Sequence, residues 1–351
     1  MALKISDRPI GVIGGGNFGT SIANLLAHNN RSVLLCYKTR SRADEISKTR
    51  KSAGQNLNDT VMVTSDLPKL CQDCNIIFPI VPSTRFRELT EELKSYLKPS
   101  HIIIHGIKGF VMDREFENLN NFEQLEAESV KTVSQFIRQV TPVVRIGCLA
   151  GPNLAKEIAE GQPAASVIAS EFNEVIEIGK TLLKSDRFLI YGSSDIIGIE
   201  LCGILKNIIA IGAGTIAGLG LGDNSKAMFI SRGLVEMVMI GKALGANPAA
   251  FIGLAGVGDL IATCSSPKSR NFQVGYGLAK AEPLDQIIKR IQEVAEGIRT
   301  TAVVRELSRI YKVKCPLTET IYKLLKGDMT VQDAQSYLMK FPFRAEIDFL
   351  D

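Results

Sequence analysis

The sequence predicts an α/β protein in two parts, an N-terminal doubly wound sheet followed by a C-terminal all-helical domain. Three observations predict it. From Pro9 to about Gly192, short β-branched runs alternate with amphipathic stretches of helix length, the pattern of a parallel sheet covered on both faces. From Ser194 onward the strand signal stops and helical periodicity takes over, so the domains are expected over 1–192 and 193–351. A glycine-rich turn stands between the first strand and the first helix, where such sheets receive nucleotides. A length of 351 residues also exceeds the usual span of one hydrophobic core.

In chain order, strands are expected at "IGVIG" from Ile10, "SVLLCY" from Ser32, "NIIFPIV" from Asn75 and "HIIIHG" from His101. They continue with "RIGCLA" from Arg145, "ASVIA" from Ala165 and "FLIYG" from Phe188. Helices are expected between them over 20–29, 85–97, 126–139 and 173–183. Residues 111–129 are polar and acidic, fit no strand, and read as a surface excursion. In the second half Pro248, Pro283 and Pro316 mark helix starts, because proline is tolerated in a first helical turn.

Composition narrows the partners. The net charge of +4 is spread along the chain without a basic arm, which argues against nucleic acid. The N-terminal stretch has no secretory pattern and no run reaches the roughly 18 to 20 apolar residues of a membrane span. A cytoplasmic protein is therefore expected. The seven cysteines are expected as thiols. "CQDC" at Cys71–Cys74 lacks the second Cys or His pair of a tetrahedral site, so no metal is expected.

Gly14, Gly16 and Gly19 of "GGGNFG" stand in G-x-G-x-x-G spacing at the head of a βαβ unit, the Rossmann-type arrangement. The glycines allow a tight turn, backbone approach to a pyrophosphate and close helix packing, and the helix that begins around Asn17 and Phe18 offers free N–H groups to the phosphates. An NAD site would favour an acidic residue about 20 positions further on. Here Thr39 stands among Lys38, Arg40 and Arg42, a setting better suited to the 2′-phosphate of NADP than to a bare hydroxyl. Ser83 in "IVPS" and Lys108 in "HGIKGF" fall at carboxyl ends of strands, the edge at which such sheets bind ligands.

Lys206 is set within "IELCGILKNIIAIGAG", an apolar helix. On a 3.6-residue period it shares a face with Cys202, Gly203, Ala210, Ala213 and Ala217. Small neighbours can leave space before an amine, and partial desolvation would then favour its neutral form for acid–base work. The same residues could instead only let helices pack closely.

Taken together, "GGGNFGTSIA", "IVPS", "GIKG", "AGPNLAKEIAEGQPAA", "LKNIIAIGAG", "GLAGVGDLIATC", "SRNFQVGYGL" and "EGIRTT" resemble the NAD(P)-dependent sn-glycerol-3-phosphate dehydrogenases, especially the bacterial type. The resemblance covers nearly the whole chain outside 111–129. It implies hydride transfer between NAD or NADP and a phosphorylated triose or polyol, with Lys206 as proton acceptor. It further implies that Lys108 contacts cofactor and substrate, that Gly151 and Asn153 line the substrate site, and that Ala155 touches the cofactor. Asp259 would lie near the catalytic lysine and share its work, while Ser269, Arg270 and Asn271 would hold the phosphate, Arg270 also reaching the cofactor. Val294 and Glu296 would complete the cofactor pocket, and a homodimer is expected. Asn153 departs from the Thr or Ser of the bacterial motif, and "TCSSPKSRN" from the usual "TCTDNQSRN". A β-hydroxyacid or ketopantoate-type dehydrogenase, or a non-catalytic nucleotide sensor, are the competing readings.

Overall fold

The computed structural model describes residues 7–113, 119–291 and 295–341. Two compact units emerge. One comprises residues up to Val111 together with Lys131–Glu200, the other Met112–Val130 and the chain from Leu201 onward.

The first unit is built as the alternation dictates. Strand β1 (Ile10–Ile13) leads into α1 (Asn17–His28), β2 (Val33–Cys36) into α2 (Arg40–Thr49), and a two-residue ribbon, β3 (Lys51–Ser52) with β4 (Gln55–Asn56), precedes β5 (Val61–Thr64). Then come α3 (Leu67–Asp73), β6 (Ile76–Pro79), α4 (Ser83–Leu93) and β7 (Ile102–His105). After the excursion the chain adds α5 (Val133–Val140), β10 (Arg145–Ala150), α6 (Ala155–Ala159), β11 (Ala164–Ala169), α7 (Asn173–Leu183) and β12 (Phe188–Ser193). The sheet order is β12-β11-β10-β7-β6-β1-β2-β5, with the direction of winding reversing between β1 and β6. Strands β1, β2, β6 and β7 are buried along their whole length, as expected of a sheet covered on both faces.

The structure corrects the sequence expectation in several places. The sheet is not wholly parallel, because β10 and β11 pair antiparallel, with Leu149 opposite Ile168. A short link, interrupted only by α6, returns the chain to the adjacent position without a full crossover. The edge strand β5 and helices α2 and α3 were not anticipated, being short and weakly patterned. The helix expected over 126–139 starts only at Val133, where Thr132 and Gln135 form a reciprocal capping box. Residues 111–129 are more than a surface excursion. Short strands β8 (Val111–Met112) and β9 (Val130–Lys131) pair at its base, and Phe122 and Leu125 are buried.

In the second unit α8 (Ile196–Gly218), which starts in the first, is followed by α9 (Asp223–Ala243), α10 (Ala249–Ile252) and a π turn over Leu254–Gly258. Helices α11 (Asp259–Ser265), α12 (Arg270–Ala279), α13 (Leu284–Ile291), α14 (Glu296–Ile310), α15 (Pro316–Lys326) and α16 (Val331–Lys340) complete it. By length and composition alone α8 could cross a membrane, but 94% of its most apolar window is buried inside the protein, as in a core helix. Its glycines serve close packing. A Cβ at Gly214 would sit 1.9 Å from the Phe272 carbonyl oxygen of α12, and one at Gly275 of α12 would sit 1.7 Å from that of Ile211.

Glu236 of α9 is buried and caps α15, accepting from Leu317 N at 2.5 Å, Thr318 N at 3.0 Å and the Thr318 hydroxyl at 2.9 Å. Burial pushes its carboxyl up to about 7, against the downward pull of those three donors. The folded chain thus holds the proton more tightly than the unfolded one. The resulting stability is fully present below the ordinary value of 4.5 and is lost as pH rises through about 7. Glu200 acts in the opposite sense. Burial opposes its charge, but nearby His105 and the Ser134 hydroxyl and backbone prevail and lower its pKa, so its contribution is lost only as pH falls below the ordinary range. Urea unfolding of the wild type is therefore expected to lose up to about 3 kcal/mol between pH 4.5 and 7. Glu236→Gln should flatten that slope, and an unchanged slope would assign it to other groups.

Candidate functional site

The turn after β1 is shaped by its glycines. Gly14 has φ +110°, a left-handed conformation, and a Cβ there would meet the Ile80 carbonyl oxygen at 2.2 Å. A Cβ on Gly19 would lie 1.9 Å from the Gly14 oxygen, so α1 is drawn tightly onto the loop. Gly16 is the N-cap of α1, has no side-chain cap, and faces open space where its Cβ would be. No acidic residue occupies the first turn of α1. Free N–H groups at a positive helix end, facing open space, fit a pyrophosphate. Asn17 and Phe18 open α1, with the Asn17 carbonyl held by Gln55 Nε2 at 2.9 Å and the Phe18 ring lying beneath Gly106.

Beside this loop lies a cavity of about 900 Å³, at the point where the winding of the sheet reverses. Gly14, Gly15, Tyr37, Lys38, Arg40 and Pro82 are among its lining residues. Lys38 pairs with Glu88 at 3.0 Å, and Arg40 reaches only 4.0 Å from Asp44. Arg42 does not line the cavity, because its guanidinium holds both oxygens of Glu45 at 2.7 Å. Thr39 caps α2 by accepting from Arg42 N.

Lys108 follows β7 in a half-buried loop, and its Nζ donates to the Gly151 carbonyl at 3.0 Å. Gly151 itself has φ +131°, which re-aims the chain after β10. Two residues later, Asn153 Oδ1 accepts from the Ser166 hydroxyl, while Asn153 Nδ2 is buried without a hydrogen-bond partner. Ala155 starts α6, its carbonyl accepting from Ser21 of α1 at 3.0 Å, and Ser83 begins α4 in a buried position. Cys71 and Cys74 are buried free thiols whose pKa values burial raises to about 11 and 12, which suits core packing more than redox chemistry.

In the second unit Lys206 is 5% exposed, Asp259 2% and Thr263 9%. Lys206 Nζ donates to Asp259 Oδ1 in a short contact and to Thr263 Oγ1 at 2.7 Å, while the Thr263 hydroxyl donates to the Asp259 carbonyl at 2.6 Å. The π turn presents this carboxylate. A Cβ on Gly256 would meet the Phe251 oxygen at 2.0 Å, so the bulge requires glycine there. Ser269 is the N-cap of α12, accepting from Phe272 N, and Arg270 is its exposed first residue. Asn271 is buried instead, its Nδ2 donating to Asn207 Oδ1 and its Oδ1 accepting from Gly297 N, both at 2.9 Å. Of "SRN", Ser269 and Arg270 therefore stand at the open end of the helix, and Asn271 ties α12 to α8 and α14. Glu296 is the first residue of α14, whereas Val294 lies outside the described residues.

A doubly wound sheet with this phosphate cradle, joined to a helical unit with a buried lysine–carboxylate pair, defines a two-domain dinucleotide-dependent oxidoreductase. The chain belongs to the NAD-dependent glycerol-3-phosphate dehydrogenase family, whose N-terminal model matches residues 9–176 and whose C-terminal model matches residues 195–336. It is 39% identical to the glycerol-3-phosphate dehydrogenase [NAD(P)+] of Pseudomonas putida KT2440 over 98% of this chain and 97% of the relative. Identity to that of Azotobacter vinelandii is 38% over 99% and 98%. The solved structure of glycerol-3-phosphate dehydrogenase from Coxiella burnetii matches with a TM-score of 0.85 and 29% identity, covering 95% and 99% of the two chains.

Sequence reasoning passed over Thr263, Asn207 and Ser166. Thr263 had a signal, since it stands four residues after Asp259 on what is one helix face. Asn207 and Ser166 had none, because their partners are remote in sequence. Replacing Asp259 by Ala should cost about 3 to 5 kcal/mol, because a buried ammonium loses its carboxylate. Asp259→Ala combined with Lys206→Met should recover most of that loss in urea denaturation. If the single variant is as stable as wild type, the pair carries no such buried charge.

Proposed function

We propose that the protein interconverts sn-glycerol 3-phosphate and dihydroxyacetone phosphate using NAD(H) or NADP(H), supplying glycerol 3-phosphate for glycerophospholipid synthesis. The observation that carries this reading is the buried Lys206–Asp259–Thr263 cluster in a chain of this family. The relatives named above carry that activity in their names. Gly14, Gly16 and Gly19 fit the dinucleotide phosphates through the open N-terminus of α1 and the adjoining cavity. A bound nicotinamide would supply or accept the hydride. Lys206 is proposed to manage the proton, giving it to the substrate oxygen in reduction and taking it back in oxidation. Asp259 and Thr263 fix the direction in which Nζ points. Lys108, Gly151 and Asn153 are proposed to contact substrate, Lys108 and Ala155 also the cofactor, and Ser269 with Arg270 to hold the phosphate at the N-terminus of α12. Val294 and Glu296 are proposed to complete the cofactor pocket.

The test is reduction of dihydroxyacetone phosphate followed at the nicotinamide absorbance. Wild type should turn over, and Lys206→Ala should lose activity by orders of magnitude while cofactor affinity stays near wild type. Cofactor binding without turnover in the wild type would favour the nucleotide-sensor reading, and turnover of unphosphorylated 2-keto acids the ketopantoate-type one. A cytoplasmic homodimer is also proposed. The seven buried free thiols suit a reducing compartment, and sedimentation velocity decides the dimer.

Cofactor choice is proposed to favour NADPH at least as much as NADH, because Lys38 and Arg40 line the cavity without a carboxylate at Thr39. Arg40→Ala should erode the efficiency with NADPH and spare NADH. Arg42→Ala should change neither, given its hold on Glu45. Equal loss with both cofactors in Arg40→Ala would remove the 2′-phosphate argument.

A further inference from the structure

The antiparallel pair β10–β11 places Ser166 beside the loop that leaves β10. Ala150 is paired with Val167, and one step further Ser166 comes opposite Gly151. A Cβ on Gly151 would lie 3.3 Å from Ser166 Cα and 3.6 Å from its Oγ. Ser166 is 0% exposed, and its hydroxyl donates to Asn153 Oδ1. In this arrangement the Ser166 hydroxyl gives its proton to the amide oxygen of Asn153. With Oδ1 engaged by a donor, Nδ2 is directed elsewhere, and it is buried without a protein partner. A buried amide N–H left unpaired is costly, so it marks a place where an acceptor is missing from the chain itself. The Gly151 carbonyl, two residues before, is engaged by Lys108 Nζ at 3.0 Å. Lys108 Nζ, from the loop after β7, and Asn153 Nδ2 are therefore two donors at the short stretch of backbone that leaves β10.

We propose that Ser166 is a positioning residue that locks Asn153 as a hydrogen-bond donor toward an oxygen of the phosphorylated substrate. The inference rests on the function proposed above and assigns a task to a residue outside its motifs. Ser166 touches no substrate in this scheme. It acts by giving its hydroxyl proton to Oδ1, which favours the orientation of Asn153 in which Nδ2 faces the substrate oxygen.

Four variants test it, each assayed for steady-state reduction of dihydroxyacetone phosphate, NADH and NADPH binding by fluorescence, and urea unfolding. Ser166→Ala should lower kcat/KM for dihydroxyacetone phosphate about tenfold, the worth of one hydrogen bond of ordinary net strength. Its cofactor Kd should stay at the wild-type value, while its urea midpoint should fall slightly, as loss of one buried hydrogen bond requires, and return in Ser166→Thr. Ser166→Thr, which keeps the hydroxyl, should return to within about threefold of wild type. Asn153→Asp should be poorer than Asn153→Ala, because it puts an acceptor where a donor is needed. The proposal is overturned if Ser166→Ala leaves kcat/KM unchanged, if it weakens cofactor binding and substrate use alike, or if Asn153→Asp equals or exceeds Asn153→Ala. A lowered urea midpoint in Ser166→Ala without rescue by Ser166→Thr also overturns it, leaving a purely structural serine. Absence of turnover in the wild type sinks the proposed function instead, so the two failures are distinguishable.

Discussion

The second unit is organised around one electrostatic demand, the burial of the Lys206 ammonium in an apolar helix. Removing such a charge from water costs several kcal/mol even after relaxation, and attraction to a carboxylate offsets this only with close geometry. Asp259 and Thr263 supply that geometry from α11. Their placement depends in turn on the π turn before α11, which needs glycine at Gly256 because the Phe251 carbonyl stands where a side chain would begin. The glycine-lined contact between α8 and α12 lets Asn271 reach Asn207, the neighbour of Lys206 on α8. A single buried cation thus accounts for the pairing of α8 with Asp259 and Thr263 of α11.

The first unit answers a different constraint, the tight passage from β1 into α1, which leaves a helix end that fits a dinucleotide phosphate through backbone rather than side chains. The three glycines of the β1–α1 turn do different work. Gly14 takes a backbone conformation closed to most residues, Gly19 lets the helix approach the loop, and Gly16 leaves the helix end uncovered. The adjoining cavity lies at the reversal of winding between β1 and β6, as expected of an open α/β sheet. The cations of "YKTRSR" are then sorted by local geometry, since the same helix that brings Arg40 to the cavity turns Arg42 onto Glu45.

The sequence alone determined the alternation of strands and helices, the glycine turn, the long apolar α8 and the change to an all-helical second half. These follow from periodicity and local backbone chemistry, which act over a few residues and leave their mark in the order of the chain. It also pointed to Lys206 and, through resemblance, to Asp259 and Arg270. Only the tertiary structure decided who meets whom. The antiparallel turn of β11, the burial of Phe122 and Leu125 within an acidic segment, the engagement of Asn271 by Asn207 and Gly297, and the hold of Ser166 on Asn153 all join residues far apart in sequence. No local pattern encodes such a contact, because its energy exists only once both partners have been brought to the same place and removed from water together.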